Sequence, residues 1–195
     1  MTDAIRDLAR AGLGELTTEE RQETYAVSFF VYDEEDNPRS PTLTVGTNTK
    51  SQVSFALHQP KDFVKPNPWW TPTDESEARW NYAFWLQNRL RVFPSGPGDR
   101  DLLDRWLRIS GLWIEEPSNP NDWAPLGSRI TTQFVEACTT AAKALHEAGD
   151  IAAFFGRTIP IIIHELEYYD QIVDQTLRAN PPGVADEFAA WARSL

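Results

Sequence analysis

Thr24-Tyr25-Ala26-Val27-Ser28-Phe29-Phe30-Val31-Tyr32 is the stretch on which the fold turns. Its β-branched and aromatic residues favour an extended backbone, in which successive side chains point to opposite faces. Tyr25, Val27, Phe29 and Val31 fall on one face, and Ala26, Phe30 and Tyr32 on the other. Both faces are apolar, so a strand covered on both sides is expected. The acidic run Asp33-Glu34-Glu35-Asp36 follows, then Asn37 and Pro38, a composition that turns the chain. Residues 42–47 resume extended-type sequence, and the two segments together predict a β-hairpin.

A second β-branched run lies far downstream, at residues 158–166, with Ile159, Ile161, Ile162 and Ile163 and with Pro160 near its start. The rest reads as helix and loop. Ile5, Leu8, Ala9 and Leu13 have helical spacing; Asn48 or Thr49 can cap a helix carrying Val53, Ala56 and Leu57. Asp74 with Glu77 has capping-box spacing for a helix continuing to about Asn88, and Ser128 can cap a helix through Ile130, Phe134, Cys138, Ala141 and Leu145. Leu103 and Leu107 mark a further helix, as do Ile172, Val173 and Leu177, and finally Val184, Phe188 and Trp191. Proline-rich stretches at 61–72 and 116–125 are loops. This order predicts an α+β fold: a small, mainly antiparallel sheet, made of the N-terminal hairpin plus the late strand, packed against several helices in one domain over residues 1–195.

Composition bounds the function. The chain has 29 acidic and 18 basic residues, a net charge of -11, and no Lys/Arg stripe to offset it. Such a surface repels nucleic-acid phosphates and anionic lipid, so neither is an expected partner, whereas a basic protein is attracted. Cys138 is the only cysteine, which leaves no intrachain disulfide and no cysteine-based zinc site. Asp3, Arg6, Asp7 and Arg10 interrupt the first residues, so no signal-peptide core is read there, and no window reaches the about 20 apolar residues of a membrane span. A cytoplasmic location is expected.

No GxSxG elbow, GxGxxG fingerprint or Walker-type loop is present, and Ser95-Gly96-Pro97-Gly98 lacks the residues that hold a phosphate. The three histidines, His58, His146 and His164, form no metal-binding i, i+4 pair. His164, Glu165 and Glu167 are the densest group of potential ligands or acid-base residues. On a strand, however, His164 and Glu165 point to opposite faces. Of the eight tryptophans, Trp80, Trp85, Trp106 and Trp191 fall on apolar helix faces, and Trp69, Trp70, Trp113 and Trp123 sit in or beside loops, where they pin the loop to the core or form a binding surface.

Tyr25 to Tyr32, the acidic turn, Val45-Gly46-Thr47-Asn48-Thr49, the segment around Trp80, and the late strand followed by Asn180-Pro181 together resemble a bacterial family catalogued as domain of unknown function 4303, over about residues 20–195. The resemblance implies no activity and transfers no catalytic residue. Small acidic bacterial domains also resemble, in size and charge, immunity proteins that neutralise basic toxins. The leading expectation is therefore a non-enzymatic domain that binds a basic protein without a cofactor or metal, with Asp33, Glu34, Glu35 and Asp36 as the candidate contact. The alternatives are a metal-dependent or acid-base hydrolase using His164, Glu165 and Glu167, and a small-ligand module using the loop tryptophans.

Overall fold

The computed structural model describes residues 1–33, 37, 39–58, 71–113, 123–165 and 170–195. Strand β1 (Thr24–Asp33) runs antiparallel to β2 (Pro41–Thr49), with Phe29 opposite Val45, as the hairpin reading requires. The sheet order is β3-β2-β1-β4, where β3 is Arg91–Phe93 and β4 is Ile161–His164. β4 lies parallel to β1, with Val27 opposite Ile161 and Phe30 opposite His164. The sheet is thus mixed, not mainly antiparallel, and it is not confined to the hairpin and the late strand. β3 escapes a reading by pattern because three residues are too few to show alternation. β4's direction is set by the helices that carry the chain back to the starting end of β1, which composition does not encode.

Helices cover both faces, for the reason the two apolar sides of β1 supply. On one face Val27, Phe29 and Val31 join Leu43, Val45, Ile161 and Ile163 in a core completed by α1 (Thr2–Gly14), α5 (Pro97–Ile109), α6 (Trp123–Glu147) and α7 (Asp150–Phe155). On the other, Ala26 and Ile162 pack with α3 (Lys50–Leu57), α4 (Glu75–Trp80), α8 (Asp170–Ala179) and α9 (Asp186–Ala192). A short α2 (Thr18–Glu23), held by a capping box between Thr17 and Glu20, precedes β1.

Of three helix boundaries, one agrees with the expectation and two differ. Of the two expected candidates, Asn48 and Thr49, it is Thr49 that caps α3, its side chain accepting from the Gln52 N–H at 3.2 Å. α4, in contrast, stops at Trp80 instead of continuing to Asn88. Asn81 adopts an extended backbone and its Oδ1 accepts from the Ala83 N–H at 3.0 Å, starting a separate 3-10 turn over Tyr82–Phe84. The aromatics beyond it then serve the second core as loop side chains. Ser128 is not a cap: α6 begins at Trp123, with Pro125 in its first turn, where a missing N–H is harmless.

The segment after the 3-10 turn crosses β2 at close range. Asn88 takes the Thr47 N–H on its Oδ1 at 2.8 Å, and the Leu90 N–H donates to the Val45 carbonyl at 2.9 Å. A Cβ on Gly46 would stand 2.6 Å from the Asn88 carbonyl oxygen, so only glycine fits under this crossing. Asn180, just after α8, ties the sheet's other edge. Its Oδ1 accepts from the Ile161 N–H at 2.8 Å and its Nδ2 donates to the Ile161 carbonyl at 2.8 Å. The Ile163 N–H donates to Thr176 Oγ1 at 3.1 Å, and Gln175 Nε2 donates to the Ile163 carbonyl at 3.0 Å. Side chains thereby replace the neighbour that edge strand β4 lacks.

Candidate functional site

His164 ends β4 on the face shared with Ser28 and Phe30, in a box of rings. Its imidazole lies 4.5 Å from the Tyr82 ring, 5.4 Å from Phe30 and 6.1 Å from Trp85, measured between centroids. Nδ1 is 2.9 Å from the Glu165 carbonyl oxygen, which can only accept, so Nδ1 carries the proton. Nε2 then offers its lone pair to the Ser28 hydroxyl, 2.8 Å away. Burial pushes the His164 pKa down to about 4, so the ring is neutral at pH 7.

A hydroxyl bonded to a neutral, oriented imidazole is the arrangement that activates a serine nucleophile. Here, however, both partners are sealed: Ser28 is 2% exposed and His164 1%. The pair satisfies two polar groups inside the second core and offers no surface to a reactant. Tyr82, half-buried beside it, has its phenol pKa raised chiefly by burial.

Glu165, the next residue, lies just beyond the end of β4. It borders a polar hollow of about 540 Å³ between α6 and α8, together with Glu136, Asp174, Gln175 and Arg178. Arg178 Nη1 donates to both oxygens of Glu136, at 3.1 and 2.9 Å. Asp174 makes a looser contact with Arg193, at 3.6 Å, between exposed side chains. Beyond Arg178 a second hollow of about 410 Å³ is bordered by Lys143, His146 and Asn180. His146 Nε2 donates to Asn180 Oδ1 at 2.9 Å, and burial holds the His146 pKa below its usual value.

The structure therefore separates His164 from Glu165, and Glu167 lies outside the described residues. Among the described residues no group of three or more His, Cys, Asp or Glu is placed to hold a metal ion. Cys138 is fully buried in the first core, which raises its pKa and keeps the thiol protonated. At the hairpin, Asp33 ends β1 opposite Pro41 and is half-buried, while Glu34, Glu35 and Asp36 lie outside the described residues.

Trp80 and Trp191 are buried and Trp106 packs against the first core, each on a helix as expected; Trp85 is buried too, but it follows the 3-10 turn and is not on a helix face. Trp113 and Trp123 flank Arg39, whose guanidinium carbon is 5.5 and 4.4 Å from their ring centroids, and Arg108 stacks on Trp113 at 4.0 Å. Trp113, just after α5, and Trp123, which opens α6 and so is not in a loop, thus hold Arg39 ahead of β2. Trp69 and Trp70 lie outside the described residues.

Sequence reasoning reached Glu165 but not Glu136, Asp174, Gln175 or Arg178. In the sequence these are ordinary polar positions on two separate helices; only the packing of α6 against α8 makes them neighbours. Among the described residues no helix is long and apolar enough to cross a membrane. Comparison of the chain with protein-family models, with curated proteins and with solved structures finds no match in any of the three.

Proposed function

We propose that the chain is a binding domain for a basic protein, of the kind that neutralises a cationic toxin by covering it. The observation that carries this reading is the hollow between α6 and α8, where three carboxylates stand with one arginine on a chain of net charge -11. A cationic surface is drawn to such a feature at long range and held by it at short range. The acidic run from Asp33 to Asp36 extends the same charge to the hairpin. The resemblance to domain of unknown function 4303 belongs to this proposal and adds no activity to it.

The hydrolase reading on His164, Glu165 and Glu167 gains no support from a histidine sealed among aromatic rings, with its neighbouring carboxylate in a different hollow. The test of the binding reading begins with capture from the native host at low salt, release by high salt and identification by mass. The released protein is then purified and mixed with the tagged chain. A basic protein that re-forms a stoichiometric complex is the expected result. Failure of every salt-released protein to re-form a complex would overturn the proposal.

A further inference from the structure

We draw no further inference here: the strongest candidate, the hollow beyond Arg178 bordered by Lys143, His146 and Asn180, is a surface cluster whose cations Lys143 and Arg178 already face Glu147 and Glu136 and whose His146 already donates to Asn180, so nothing among the described residues shows what would occupy it.

Discussion

His164 shows how a residue with catalytic chemistry is turned to structural use. A carbonyl fixes its tautomer, Ser28 occupies its lone pair, and burial lowers its pKa from 6.5 to about 4. Between those values the unfolded chain takes up a proton that the folded chain refuses. The sign follows: the contribution to stability is complete above about pH 6.5 and is lost as pH falls through about 4. Over that range the loss is about 3 kcal/mol. Replacing His164 by Gln removes this dependence, so the stability gap between native and His164→Gln proteins in urea should narrow by about that amount from pH 7 to pH 4. A gap independent of pH would show that the buried imidazole is not what titrates. Asn180 is a second such residue, with its Oδ1 taking two donors and its Nδ2 giving two bonds, to the Ile161 and Thr176 carbonyls. Asn180→Ala leaves the Ile161 N–H and carbonyl without partners in a buried place. Urea unfolding should register a loss of about 2–4 kcal/mol.

At the level of elements, the sheet is held at its two edges by different means. Side chains from α8 and Asn180 close β4, while the crossing segment that leads into β3 lies tightly over β2 at Gly46. Gly46→Ala places a methyl against a backbone carbonyl that cannot swing aside, and a loss of about 1–3 kcal/mol in thermal or urea unfolding is expected. An unchanged midpoint would mean that the crossing moves freely. How much of this was legible follows from the same elements. β1 announced itself through its two apolar faces, and α3 through the capping residue Thr49. The end of α4 did not, because Tyr82 and Trp85 keep helical spacing while Asn81 breaks the helix by a bond to Ala83. The direction of β4 depended on long-range assembly. No periodicity in a sequence reports which of two neighbours a strand will lie parallel to.

At the scale of the whole molecule, the acid excess was visible from composition, but its use was not. Asp33 is half-buried at the end of β1, and the candidate hollow is built instead from α6, α8 and Glu165. The histidine is sealed among rings, and the carboxylate that adjoins it in sequence borders the hollow. The central claim, that a basic protein is bound through acidic surface, is tested most directly by the salt dependence of the reconstituted complex. Calorimetry at 50 and 300 mM salt should show a Kd that rises roughly tenfold or more as screening shortens the reach of exposed charges. A stoichiometric complex whose Kd stays the same across that range would contradict the account.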